Sequence, residues 1–386
     1  MPTEGSIKIE LFTNGRAVSG VGIDSTRPVL ASRIFREKSV AEVLAILPLL
    51  FFVCGTAQTV AGVRACEQAM GIRPSGELAQ QRENLVNMET VREHLGRVFL
   101  DWPVLLGGVP DTGHQSLVLT LSREYKDVLC GKYTPFVPGA TANQDNRDRS
   151  DGPAGRMLRV LEDAVFGMPP ARWLEYDSPD ALARWASTEA TAASRLTAEV
   201  AHRGWMGAGR CMVPALPDLD SGTLAGVIDD EFVKTPQWCG ACRETSSLTR
   251  TDSPLLRQLK QHHGNGLGVR IAARLTEIAR LSVALTQPPG DTGPAGTHRR
   301  DPVVQYNPGV GQVAAARGLL VHCVSLDGET VADYRILAPT EWNFHPHGVV
   351  ASGLAALQGD GNAIDRQARL LINSIDPCVD YDLKVT

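Results

Sequence analysis

A thiol near the end of a chain can be held in place when the tail that carries it is docked. Here Cys378 lies eight residues from the end of a 386-residue chain. Asp376-Pro377 leads into it. A proline fixes its own backbone and disfavours helix in the residue before it, so the approach to the thiol is stiff. Chain ends usually fray. This one follows an amphipathic run (Ile364, Ala368, Leu370, Leu371, Ile375) whose spacing predicts a docked helix. A thiol held there needs a partner, and the candidate is Cys54, far away in the sequence.

Cys54 has its own local frame. Ile7, Ile9 and Leu11 alternate, Asn14-Gly15 marks a hairpin turn, and Val18, Val21 and Ile23 follow, which predicts short strands. Ser39 caps a helix with apolar Val40, Val43, Leu44 and Leu47, and Pro48 is expected to break or kink it. A second helix starts near Thr56 and ends at Gly71. Cys54 therefore precedes a helix N-terminus, where amide donors and the dipole favour a thiolate. A third helix is expected over 81–100, with Leu85, Met88, Leu95 and Phe99 on one stripe.

Residues 134–155 are Pro/Gly-rich and predict a loop, with helices near 155–167 and 180–203 and an irregular stretch over 207–230. Ser253-Pro254 opens a helix, and after the Gly264–Gly268 break residues 269–285 form another. Residues 287–300 predict a linker. Residues 317–326, Asp327-Gly328 and 329–337 then form a hairpin, and helices near 348–357 and 362–373 lead to Cys378. The expected fold class is α+β, predominantly helical, with small antiparallel sheets, in one domain. Its parts are 1–106 with Cys54, a divergent helical and loop region 107–235, and 236–386 with the hairpin and Cys378.

Four further features carry chemical potential. Cys239-Gly-Ala-Cys242 is a C-x-x-C pair, open to a structural, metal or redox role; a tetrahedral metal site would need two more ligands. Arg317 is either a solvated strand-end charge or a five-donor anion clamp. Thr340 is either a cap or a ligand donor. His345-Pro346-His347 predicts a surface turn with its rings apart. The other cysteines are expected to be buried apolar residues.

Composition removes several function classes. The net charge of −5 gives no basic face for nucleic acid. No apolar run reaches membrane-span length. The N-terminal Met-Pro-Thr-Glu-Gly-Ser lacks the layout of a signal peptide, so a cytoplasmic location is expected. No nucleophile elbow, P-loop or dinucleotide fingerprint is present.

Several segments together resemble the large subunit of nickel–iron hydrogenases. These are Ser32-Arg-Ile-Phe35, Cys54-Gly-Thr-Ala57, the segments 63–72 and Arg82-Glu-Asn-Leu85, and Glu244-Thr-Ser-Ser-Leu-Thr-Arg250. Most specific are the segment 309–322, Ala338-Pro-Thr-Glu-Trp-Asn343 and Asp376-Pro-Cys378. In the family each of two C-x-x-C motifs is followed by a histidine. Here Ala57 and Ala61 stand in place of the second cysteine and the histidine of the first motif, and Tyr381 and Lys384 in the second. The resemblance implies that the bridging thiolates are lost, so that a bridged nickel–iron centre cannot form and no nickel is expected. Arg317 and Thr340 match the positions that hydrogen-bond the iron's cyanides, and with Pro339 they are the expected cofactor-binding residues. On this resemblance no tail follows the last motif for a protease to remove.

This pattern resembles the HupK/HoxV-type hydrogenase maturation proteins. It implies a non-catalytic scaffold that transiently carries an Fe(CN)2(CO) unit, with a HypC-type chaperone and the hydrogenase large subunit as partners. Cys54 and Cys378 are the expected iron ligands. Because the bridging thiols are the ones lost, the iron must sit differently or use another thiol, and Cys239 and Cys242 are the reserve. The alternatives are a metal-free module that binds the HypC-type chaperone and a C-x-x-C thiol oxidoreductase.

Overall fold

The computed structural model describes residues 5–51, 53–143, 152–287 and 307–386. Its two ends meet in one small sheet. β1 (Ile7–Thr13) and β2 (Val18–Ser25) form an antiparallel pair, and β6 (Tyr381–Val385) runs parallel to β1 on its other edge. Ile7, Ile9 and Leu11 face inward while Lys8, Glu10 and Phe12 face out, which fixes the register. The turn between β1 and β2 forms because the Asn14 side-chain oxygen accepts from the Arg16 and Ala17 amides, at 3.1 and 2.9 Å. The sheets are small and antiparallel as expected, except that β6 joins β1 in parallel. Parallel pairing needs a long crossover, and almost the whole chain supplies it.

A second sheet is an antiparallel meander of β3 (Gly309–Ala315), β4 (Gly318–Asp327) and β5 (Thr330–Leu337). The expected hairpin is β4–β5, with the turn one residue later than expected: Asp327 pairs with Thr330, and Gly328 takes φ +61°. A bulge at Ser325/Leu326 shifts the register.

Three helices place Cys54. α1 (Val40–Leu50) starts with a reciprocal cap: Ser39 Oγ accepts from the Glu42 amide, and the Ser39 amide donates to the Glu42 carboxylate. It continues past Pro48 to Leu50, because a proline two residues from the end removes only one late backbone bond. α2 (Gly55–Met70) ends on left-handed Gly71. α3 (Gly76–Gly96) is capped by Ser75, begins earlier than expected, and passes through a π-helical turn at Arg97–Asp101. A fully buried ion pair, Arg82 to Glu67 at 2.7 and 3.0 Å, ties α3 to α2.

β3 lies directly on α2. A Cβ on Gly309 would fall 2.2 Å from the Ala65 carbonyl oxygen, and one on Gly311 2.0 Å from that of Ala61. Only glycine permits this approach. The helix Leu267–Ala284 runs through the largest core cluster, with Arg270, Arg274 and Glu277 buried. Arg270 pairs with Glu244 at 2.5 and 3.0 Å, and Glu277 with Arg250 and His94.

Other expectations change in detail. The helix expected over 180–203 is two helices, Pro179–Ala186 and Ala192–His202, because Thr191 and Ser194 form a new cap. The stretch 207–230 contains a helix, Ser221–Val227, capped by Asp220. The linker expected at 287–300, after its first residue, and residues 144–151 of the expected 134–155 loop lie outside the described residues; residues 134–143 hold no helix or strand. Among the described residues no helix is long and apolar enough to cross a membrane.

Candidate functional site

Cys54 occupies the N-cap position of α2, and Cys378 follows the helix Gly361–Ile375 through a kink at Asp376, which has φ +69°. Both thiols are half-buried. They lie close enough that the charge of one raises the other. Cys54 is pushed up to about 12, first by burial, then by Cys378 and Glu89, against the pull of Arg317 and Gln58.

That value corrects the expected dipole effect. The second and third amides of α2 are already taken. Thr56 N–H donates to Glu89 Oε2 at 2.8 Å and Ala57 N–H to Oε1 at 2.9 Å. A carboxylate from α3 thus caps the helix and adds negative charge beside the sulfur. A thiolate at Cys54 needs a cation, and the adjacent ones are Arg317 or a bound metal.

Cys378 is held by Thr340. The Thr340 hydroxyl donates to Sγ at 3.1 Å, and the Cys378 amide donates back to Oγ1 at 3.5 Å. Pro339 starts the short helix Pro339–Asn343, which presents that hydroxyl. Arg317, at the β3–β4 turn, is 5% exposed. Its Nε donates to the Pro377 carbonyl at 3.3 Å and lies 3.4 Å from Asp376 Oδ1, and its Nη2 lies 3.2 Å from Glu93. Its Nη1 is buried without a hydrogen-bond partner. Asp376 also faces Arg97 at 3.0 Å and Arg274 at 3.9 Å. Burial opposes its charge, but Arg317, Arg97 and Arg274 hold it down to about 2.

The structure therefore gathers Cys54, Cys378, Arg317, Thr340 and Pro339 around one spot. Cys239 and Cys242 lie elsewhere, on a tight turn. Trp238 and Ala241 exchange backbone hydrogen bonds, and Cys239 and Gly240 have φ +52° and +72°. Cys239 is exposed. Cys242 Sγ lies 3.3 Å from His345 Nδ1, which also accepts from the His347 amide at 3.0 Å. The expected surface turn at 345–347 is present, with Pro346 and His347 exposed, but His345 is buried and the two rings sit 5.9 Å apart. Among the described residues no three His, Cys, Asp or Glu side chains are arranged to hold a metal ion.

Sequence reasoning missed Gln58, Glu89, Glu93, His322 and Tyr334. Gln58 was detectable as the residue one helical turn after Cys54. The rest act through tertiary contacts. Glu67, Arg82 and Glu244, which lie within resembling segments, turn out to make buried ion pairs that brace helices.

The orphaned Nη1 and two soft sulfurs, one of them held by the Thr340 hydroxyl, suit a small metal complex that brings most of its own ligands.

No family model matches the chain. It is 32% identical to the hydrogenase expression/formation protein HoxV of Cupriavidus necator, over 94% of this chain and 92% of that protein. It is 30% identical to the hydrogenase expression/formation protein HupK of Bradyrhizobium diazoefficiens, over 98% and 96%. Its fold matches the nickel–iron–selenium hydrogenase of Desulfomicrobium baculatum with a TM-score of 0.62 at 16% identity, covering 95% of this chain and 94% of that one. The architecture is thus that of a hydrogenase large subunit.

Proposed function

The chain belongs to the family of HoxV and HupK hydrogenase expression/formation proteins, and from that premise we propose that it is a non-catalytic scaffold in nickel–iron hydrogenase maturation. It carries the Fe(CN)2(CO) unit transiently at Cys54 and Cys378, receives it from a HypC-type chaperone and delivers it to the hydrogenase large subunit.

The observation that carries this proposal is the buried, unpartnered Nη1 of Arg317 next to two thiols. An unmet buried donor costs about 1–3 kcal/mol, and a cyanide nitrogen would satisfy it. The Thr340 hydroxyl donates to the Cys378 sulfur and so holds the second thiol in place. Iron(II) with two cyanides is neutral, so two thiolates make the bound unit an anion, which Arg317 offsets. A low-spin iron held by two thiolates keeps positions open for transfer.

The nickel half has no support. Ala57 and Ala61 are fully buried in α2, with β3 pressed against the Ala61 carbonyl. Tyr381 and Lys384 belong to β6 and pair with β1. None of the four can replace the lost thiolates and histidines.

The test is maturation in cells whose own copy is deleted. Cys54→Ala and Cys378→Ala are expected to abolish hydrogenase activity while each variant accumulates and melts like the wild type. Full activity with both variants would overturn the proposal.

A further inference from the structure

Behind Cys54 runs a chain of hydrogen bonds that the proposed carrier role does not by itself use. Gln58 Nε2 donates to Cys54 Sγ at 3.7 Å. Gln58 Oε1 lies 2.8 Å from His322 Nε2, and His322 Nδ1 lies 2.7 Å from the Tyr334 hydroxyl. Gln58 is 3% exposed, His322 0% and Tyr334 1%. Three polar side chains sealed in the core and linked in line are costly unless each bond is made.

The order of the donors follows from the geometry. With the Gln58 amide nitrogen turned to the sulfur, its oxygen faces His322. An amide oxygen only accepts, so His322 Nε2 carries a proton. Nδ1 is then bare and accepts from the Tyr334 hydroxyl. Burial keeps the imidazole neutral by holding its pKa down to about 3. Every donor therefore points towards Cys54: Tyr334 O–H to His322, His322 N–H to Gln58, and Gln58 N–H to the sulfur. Each link polarises the next. The Tyr334 hydroxyl is itself protonated, since burial raises its pKa well above the usual phenol value.

We propose that Gln58, His322 and Tyr334 are positioning residues that set the donor strength of the Cys54 thiolate towards a bound iron unit through this directed relay. The inference rests on the carrier proposal above. Hydrogen bonds to a ligating sulfur withdraw electron density and tune the metal. A thiolate held this way is a weaker donor, which suits a ligand that must later release its cargo. Glu89 acts on this sulfur in the opposite sense, and the charge of Arg317 acts in the same sense as the Gln58 donor.

The test reads the carbonyl of the cargo. Protein purified without oxygen from cells that express the maturation machinery is compared by infrared spectroscopy as wild type, Gln58→Leu and Tyr334→Phe. Without its donor, Cys54 pushes more electron density onto iron, back-donation into the carbonyl rises, and the CO band moves to lower wavenumber. Gln58→Leu is expected to show the larger shift. Tyr334→Phe, which breaks the relay two bonds away and keeps the ring, is expected to show a smaller shift in the same direction. A purely structural role would not grade the shift along the relay. If the bands are present but the CO band stays in place in Gln58→Leu, the inference fails and the carrier proposal stands. Should that variant not accumulate, an unmoved band in Tyr334→Phe has the same consequence. A wild type without cyanide or carbonyl bands overturns both.

Discussion

Arg317 has five donors, and the chain's own acceptors engage Nε and Nη2 but leave Nη1 open. A lysine would keep the charge and lose the fork. Arg317→Lys is therefore expected to bind cargo about 10–100-fold more weakly, the equivalent of one charge-assisted hydrogen bond. Iron content of the purified variant and hydrogenase activity in the cell check this. A second residue-scale expectation concerns acid. Glu277 is held well below the usual carboxylate value: burial opposes its charge, but Arg250 and His94 prevail. Its stabilising effect is thus fully present above about pH 4.5 and is lost as pH falls towards its folded value. His94, kept neutral by burial, adds to the loss, because the unfolded chain gains that proton first on acidification. Glu277→Gln is expected to cost about 3–5 kcal/mol at neutral pH by stranding Arg250, and to flatten the fall of the melting temperature below about pH 4.5. An unchanged pH profile would contradict this. The residues that lie in motifs (Cys54, Cys378, Arg317 and Thr340) were legible in the sequence. Glu89 was not. Its effect depends on α3 lying beside the start of α2, and it adds to burial and Cys378 in reversing the thiolate preference that the helix terminus alone would give.

At the scale of elements, α2 and β3 form the tightest joint near the site. The glycines at 309 and 311 let a strand lie on a helix backbone, so Gly311→Ala must push β3 off α2. Overpacking of this kind costs about 1–3 kcal/mol, and the variant is expected to melt several degrees lower, with less cargo, because β3 leads into Arg317. A melting curve that matches the wild type would show that the joint is looser than its geometry. Where local chemistry forms an element, the sequence was a good guide. Examples are the Ser39–Glu42 cap, the Ser253-Pro254 start and the Asn14 turn. It failed where neighbours decide. β3 is rich in glycine and alanine, poor strand formers, and is a strand because α2 and β4 cover it. Residues 187–191 break an apparently continuous helix through a cap that Thr191 makes with Ser194.

At the scale of the molecule, the parallel pairing of β1 and β6 ties the end of the chain to its start. Neither the strand Tyr381–Val385 nor its parallel partner was read from the sequence, since pairing across the whole chain leaves no local mark. Removal of residues 381–386 strips a strand from β1 and unpacks Leu383 and Val385 from their core. Every proposed ligand remains, yet the Asp376–Cys378 approach loses its anchor. The truncated protein is expected to melt earlier and to fail in maturation; full activity would mean that Thr340 and Arg317 alone hold Cys378. The account as a whole depends on two distant thiols sharing one iron unit. Infrared spectra of protein purified without oxygen from maturation-competent cells test this most directly, because coordinated cyanide and carbonyl absorb where polypeptide does not. Bands in the wild type that vanish in Cys54→Ala and in Cys378→Ala are predicted. A wild type that co-purifies with its chaperone but has no such bands would contradict the carrier account and leave a metal-free binding protein.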